Sequence, residues 1–191
     1  MKPKYKLFVK EDFRIANPLL FKVVGGDNEL LCRVEGWDGD YGRHSEYRLF
    51  NGDFSNAGSV YRMSTYGGLG SYALIFGMVV SGEAMSYRVF FNDFKKEVRY
   101  KPSYTGGCYL VEDTTLRVDA LFQETFWLYD GEKELAKMQR TRFSDKHTYA
   151  ISVYDDHISL NTIIGTYIGV LASVREQQGR ARDSYHNHNH Y

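Results

Sequence analysis

The chain changes its hydrophobic period once, near residue 155, and that single switch constrains the fold more than any other feature. Before it, apolar and polar residues alternate in short runs. The first are Tyr5–Val9, Leu19–Val24, Glu29–Glu35 and Glu46–Phe50, followed by Val60–Thr65, Tyr72–Val80, Met85–Phe91 and Glu97–Lys101. Cys108–Glu112, Leu116–Phe122, Thr125–Tyr129, Glu134–Arg140 and Thr148–Tyr154 complete the series. In the last run Tyr149, Ile151 and Val153 share one side while Thr148, Ala150 and Ser152 share the other. That is the period of two of a half-buried strand. The separators include Gly25-Gly26-Asp27-Asn28, Asn51-Gly52-Asp53, Asn92-Asp93, Thr105-Gly106-Gly107 and Asp130-Gly131. Gly, Asn and Asp tolerate the left-handed backbone that tight turns require, so the series reads as an antiparallel meander.

After the switch, Leu160, Ile163, Ile164, Tyr167, Ile168, Leu171 and Val174 recur at spacings of three and four. Such spacing marks one face of a helix. Gly165, Gly169 and Ala172 form a second stripe of small residues. Asp155 and Asp156 are expected at its start and Arg175 at its end, where each suits the helix dipole. Beyond Gly179 the chain turns polar and reads as a tail. The stretch 158–174 spans about 25 Å as a helix, short of the roughly 30 Å hydrocarbon core of a bilayer. Ser159, Asn161, Thr162, Thr166 and Ser173 also interrupt its apolar surface. Gly165-x-x-x-Gly169 matches the small-residue pairing of membrane helices. The same glycines would let strand side chains press against a helix enclosed by a sheet, and length and hydropathy favour that arrangement. The expected fold is α+β and mostly β: a closed antiparallel barrel of about a dozen strands around a central hydrophobic C-terminal helix. Residues 1–178 would form this one domain, with the core helix near 158–174, and 179–191 a polar His/Asn-containing tail.

Charge and composition narrow the function. Lys plus Arg is 24 and Asp plus Glu is 24. A nucleic-acid binder that relies on phosphate contacts carries a basic surplus, so that class is not expected. The 43% hydrophobic content excludes an acidic disordered chain. Cys32 and Cys108 form no C-x-x-C pair and build no zinc site unaided, so two buried thiols are expected. The first ten residues hold only Leu7-Phe8-Val9 as an apolar run, whereas a secretory signal needs roughly 7 to 15 such residues. A cytoplasmic location is therefore expected.

Motifs that carry chemistry are scarce. Asp38-Gly39-Asp40-Tyr41-Gly42 resembles the start of a calcium loop, but Leu49 stands where the bidentate acid belongs. Gly67-Gly68-Leu69-Gly70-Ser71 lacks the Lys-Ser/Thr of a phosphate-binding loop and the helix that should follow. His186, His188 and His190 alternate with asparagines, and a tail cannot hold an open catalytic site. Asp156-His157 lies at the strand-to-helix junction without a nucleophile motif elsewhere. No enzyme, cofactor or metal is expected.

The stretch Lys133-Glu134-Leu135-Ala136-Lys137-Met138, then Arg142-Phe143-Ser144, His147-Thr148-Tyr149-Ala150-Ile151-Ser152-Val153 and Asp155-Asp156, runs directly into the apolar helix. It resembles the C-terminal end of the tubby-like superfamily, in particular its small bacterial branch and the plant LURP-one-related proteins. The resemblance covers residues 132–175, and upstream only strand rhythm and length agree. It departs at Asn161, Gly165 and Gly169, where bulkier aliphatic residues are expected. The resemblance implies a barrel closed around the helix. It also implies lipid association, since tubby members resemble phosphoinositide-binding modules and scramblase relatives associate with membranes. The phosphoinositide-contacting basic residues of tubby proteins lie in a region outside the aligned stretch, and none is carried over.

Basic residues supply the candidate lipid-headgroup contacts: Lys2, Lys4 and Lys6, with Lys10 nearby; Lys95, Lys96, Arg99 and Lys101; and Lys137, Arg140 and Arg142, with Lys146 nearby. Alternate lysines share one side of a strand and can meet anionic headgroups, although lysine also guards a strand edge against pairing. The expected function is a non-enzymatic module that binds anionic phospholipid or a membrane surface, cytoplasmic and peripheral to the membrane. The alternative is a protein-interaction or small-ligand scaffold with no lipid preference.

Overall fold

Twelve strands close on themselves in the computed structural model, which describes residues 2–11, 19–36, 46–63, 72–75, 78–81, 86–101, 107–121, 124–141 and 148–187. They are β1 (Tyr5–Glu11), β2 (Leu19–Val24), β3 (Leu30–Gly36), β4 (Glu46–Asn51), β5 (Asn56–Met63), β8 (Ser86–Phe91) and β9 (Phe94–Lys101). β10 (Cys108–Val111), β11 (Leu116–Leu121), β12 (Thr125–Asp130), β13 (Lys133–Arg140) and β14 (Thr148–Val153) complete the ring. Every neighbouring pair is antiparallel, and β1 seals the barrel against β14 from Tyr5 opposite Val153 to Lys10 opposite Thr148. Closure leaves no exposed sheet edge on the barrel. β6 (Tyr72–Ile75) and β7 (Met78–Ser81) form a separate two-stranded hairpin between β5 and β8.

Alternation places one side of each strand in the core. Leu7 and Val9, Phe21 and Val23, Cys32 and Val34, Tyr47 and Leu49, and Tyr87, Val89 and Phe91 are all at most 3% exposed. The described turns 25–29, 92–93, 112–115 and 131–132 lie at one end of the barrel. There Asn28, Asn92, Asp113 and Gly131 adopt positive φ of 66°, 53°, 51° and 58°, as their residue types allow.

The helix α1 (Leu160–Asn187) starts at that same end and runs through the interior. All residues from Ile163 to Val174 are buried, on every side of the helix. A helix buried all round needs a wall all round, and the barrel supplies it. The small stripe is what allows β8 and β9 to approach: Gly165 lies against the ring of Phe94, and Gly169 lies against Val98 and Val89. Tyr167 Oη donates to the carbonyl of Phe126 on β12 at 3.3 Å, fixing the helix against the opposite wall.

Three expectations need correction. The run Tyr72–Val80 is two strands paired with each other, from Tyr72 opposite Ser81 to Ile75 opposite Met78. The helix does not end near Val174 but continues to Asn187. Gln177-Gln178 and Arg180-Ala181-Arg182 are good helix formers, so a polar sequence here does not end the helix. Asp155 and Asp156 lie outside its first turn, which Ser159 caps, its Oγ accepting from Thr162 N–H at 3.1 Å. The two aspartates precede the first turn and serve as ion-pair partners instead.

Candidate functional site

Register decides which of the basic residues share a surface. Lys2, Lys4 and Lys6 are exposed at or just before β1, and Lys4 pairs with Asp156. Lys95, Arg99 and Lys101 project outward from β9. Lys96 pairs with core Val89 and so belongs to the inward-facing register. Lys137 projects outward from β13 and stacks 4.5 Å over the Trp127 ring. Arg140 pairs with core Tyr149 and also belongs to the inward register. Arg142 and Lys146 lie outside the described residues.

The three clusters do not share one surface, because the β9 group stands apart from the other two. In the strand order β1-β14-β13-β12-β11-β10-β9-β8-β5-β4-β3-β2, β1 and β9 stand six strands apart in either direction. Their lysines therefore face opposite sides of the barrel. The β9 group also carries its own counter-ion. Glu97, outward but only 6% exposed, binds Arg99 at 2.9 Å and Arg88 at 3.7 Å. Burial alone would raise its carboxyl; Arg99, Ser86 and Arg88 outweigh that and hold it below its usual value.

A different row emerges on the β1 side. Lys10 stands opposite Lys22, and Lys22 opposite Arg33, across β1, β2 and β3. Lys6 projects from the same side of β1, and Lys6 and Lys137 flank Ser152 from the two neighbours of β14. One wall, from β13 round to β3, thus carries Lys6, Lys10, Lys22, Arg33 and Lys137. Lys6, Lys22 and Lys137 have no carboxylate partner among the described residues, Lys10 reaches only Asn28 Oδ1 at 3.4 Å, and Arg33 pairs with Glu35. Directly opposed like charges repel, so an anion across Lys10 and Lys22 would relieve strain. Beside the row, Phe54 in the β4–β5 turn is 60% exposed with φ of 64°, and the Arg33 guanidinium lies 5.6 Å from its ring centre. Sequence reading missed Lys22, Arg33 and Phe54, although Phe21-Lys22-Val23 and Cys32-Arg33-Val34 already marked both cations as outward.

Where the helix begins, His157 bridges two carboxylates. Its Nε2 lies 2.9 Å from Asp130 and its Nδ1 lies 2.8 Å from Asp155, which Lys133 also binds at 2.7 Å. Asp130, then Asp155, raise the imidazole pKa above its ordinary value. With both ring nitrogens engaged, the ring is a poor general base and a good fastener. No group of three His, Cys, Asp or Glu among the described residues is placed to hold a metal ion.

The cysteines divide. Cys32 is buried, its thiol pushed up to about 12 by burial. Cys108 was also expected inside, but faces outward from β10, half-buried, opposite Lys101 and Asp119, because its neighbours Tyr109 and Val111 take the core side. Residues 38–42, 67–71 and the tail histidines His188 and His190 lie outside the described residues.

Among the described residues no helix is long and apolar enough to cross a membrane. No family model matches the chain, and no curated protein matches it. Among solved structures it is similar to the Arabidopsis thaliana protein AT5G01750, known from an X-ray structure. The TM-score is 0.51 at 16% identity, over 91% of this chain and 93% of that one. At that identity the likeness concerns the fold.

Proposed function

We propose that the chain is a non-enzymatic, tubby-like binding module whose wall from β13 to β3 meets an anionic lipid surface from the cytoplasmic side. The carrying observation is the transverse row Lys10–Lys22–Arg33, flanked by Lys6 and by the exposed ring of Phe54. A broad cationic surface with an adjacent exposed aromatic suits headgroup phosphates with shallow insertion at the interface. The resemblance of residues 132–175 to the tubby-like superfamily and the likeness in fold to the Arabidopsis protein support the same reading.

Vesicle co-sedimentation tests it, with phosphatidylcholine alone against mixtures containing increasing phosphatidylserine. Each cation near an anionic surface contributes about 1 kcal/mol, so Lys10→Ala/Lys22→Ala/Arg33→Ala should weaken binding on the order of a hundred-fold. Phe54→Ser should weaken it less, and Lys95→Ala/Lys101→Ala on the far wall should leave it unchanged. Sedimentation independent of phosphatidylserine, or untouched by the triple substitution, refutes the proposal.

A further inference from the structure

On the outer wall of β10, β11 and β12 lies a hollow of about 620 Å³, lined by Gly107, Cys108, Arg117, Asp119, Leu121 and Trp127 among others. Its centre, β11, stands four strands round from β1, so it faces away from the cationic row on β1–β3. We infer that this hollow docks an extended acidic segment of a partner protein, with an apolar side chain of that segment seated against Trp127 and Leu121. The inference stands apart from the lipid reading and uses none of its residues except Lys137, which lies at the border of both surfaces.

Charge at the hollow is arranged in a line. The register places Lys101 opposite Cys108, Cys108 opposite Asp119, Asp119 opposite Trp127, and Trp127 opposite Lys137. This single transverse row crosses five strands. Its one acid is already neutralised, because Arg117 Nε lies 2.9 Å from Asp119 Oδ1. The ammonium groups of Lys101 and Lys137 close the two ends and have no carboxylate partner among the described residues. Four strand spacings separate their backbone positions, about 19 Å along the wall at the usual spacing. An extended peptide of about six residues spans the same distance.

Between the cations, beside the Arg117–Asp119 pair, the hollow presents apolar surface. Leu121 is 49% exposed, and among the described residues only Phe54 is a more exposed large hydrophobic. Trp127 is half-buried and held in place by the Lys137 ammonium over its ring. A strip with a cation at each end, and apolar surface beside a self-neutralised ion pair between them, is complementary to a segment that reads acidic–apolar–acidic. Such a segment cannot join the sheet, because the barrel has no free edge here; it must be recognised through side chains.

The test uses the full chain carrying Trp37→Phe, so that Trp127 is the remaining tryptophan. The probe is the hexapeptide Asp-Glu-Leu-Leu-Glu-Asp, compared with its counterpart carrying lysine at each acidic position. Two readouts apply: the Trp127 emission, and the rate at which iodoacetamide alkylates Cys108, Cys32 being silent because it is buried. The acidic peptide should shift the emission saturably and slow alkylation, and the lysine peptide should do neither. Lys101→Ala and Lys137→Ala should each weaken binding about two- to five-fold, the usual scale for an exposed ion pair. Leu121→Ser should weaken it at unchanged salt dependence. Equal binding of both peptides, no saturable change at millimolar peptide, or saturation by octanoate that ignores Lys101→Ala would each overturn the inference.

Discussion

Gly169 sits so close to Val98 that a β-carbon built on it would fall 2.7 Å from the valine Cβ, with Val89 Cγ2 at 3.2 Å on the neighbouring strand. Both contacts are branched side chains in the core, with no flexible tip to swing aside. Gly169→Ala therefore sets a helix-propensity gain of up to about 1 kcal/mol against overpacking of roughly 1–3 kcal/mol. The net expectation is a loss of about 1 kcal/mol, read as a fall in Tm of about 2–4 °C. A rise in Tm would show that the helix stands further from β8 and β9.

One turn away, the opposite sign is expected. The Thr166 hydroxyl is fully buried and has no hydrogen-bond partner among the described residues. Burying a hydroxyl unsatisfied costs roughly 1–3 kcal/mol, and valine fills almost the same volume without it. Thr166→Val should raise stability by about 1 kcal/mol in chemical denaturation. Destabilisation would mean that the hydroxyl has a partner that the geometry does not show.

The barrel and its helix were legible because their signals are local. Alternation in Thr148–Val153 and the three–four spacing from Leu160 to Val174 each report burial on one element, and the structure buries Tyr149, Ile151, Val153 and the stripe from Ile163 onward. The cationic row was not legible, because nothing local relates Lys10 to Lys22 or Lys22 to Arg33. That relation is created by strand order and register. Proximity in sequence joins Lys95 to Lys96 instead, although neighbouring positions on a strand point to opposite faces. Polarity misled in the same way at the C-terminal end, where the polar segment after Glu176 is helical beyond the apolar stretch.

Glu176 tests whether the far end of the buried stretch of the helix is pinned by charge. It is 3% exposed, lies 3.1 Å from Arg62 and accepts the Tyr87 hydroxyl, with Tyr47 and Arg175 nearby. Glu176→Leu leaves Arg62 without its carboxylate and should cost about 3 kcal/mol, toward the lower bound for a buried pair because Arg62 still reaches solvent. Combining it with Arg62→Leu and Tyr87→Phe should recover most of that loss. Additive losses across the three substitutions would show that the groups act independently.

The His157 fastening predicts a pH dependence with a definite sign. Asp130, then Asp155, raise the folded imidazole pKa above its ordinary 6.5, so its stabilisation is complete below about 6.5 and is lost as pH rises through the higher folded value. The carboxylates act oppositely. Thr115 and His157 hold Asp130 below its ordinary 3.8, and Lys133 and His157 hold Asp155 lower still. Their contribution is complete above about 3.8 and fades as pH falls through those depressed values. Both halves are present together only between about pH 4 and 6.5, and Tm should peak there. His157→Asn, which keeps a polar side chain but cannot carry the charge, should remove the decline above pH 6.5 while leaving the acid limb largely in place. Amide exchange at residues 155–163 gives the local reading: protection in the first helical turn should drop from pH 6 to pH 8.5 in the wild type, after correction for intrinsic exchange, and stay level in His157→Asn. A wild type whose corrected protection is flat across that range would show that the bridge between β12 and the start of α1 does not depend on the imidazolium.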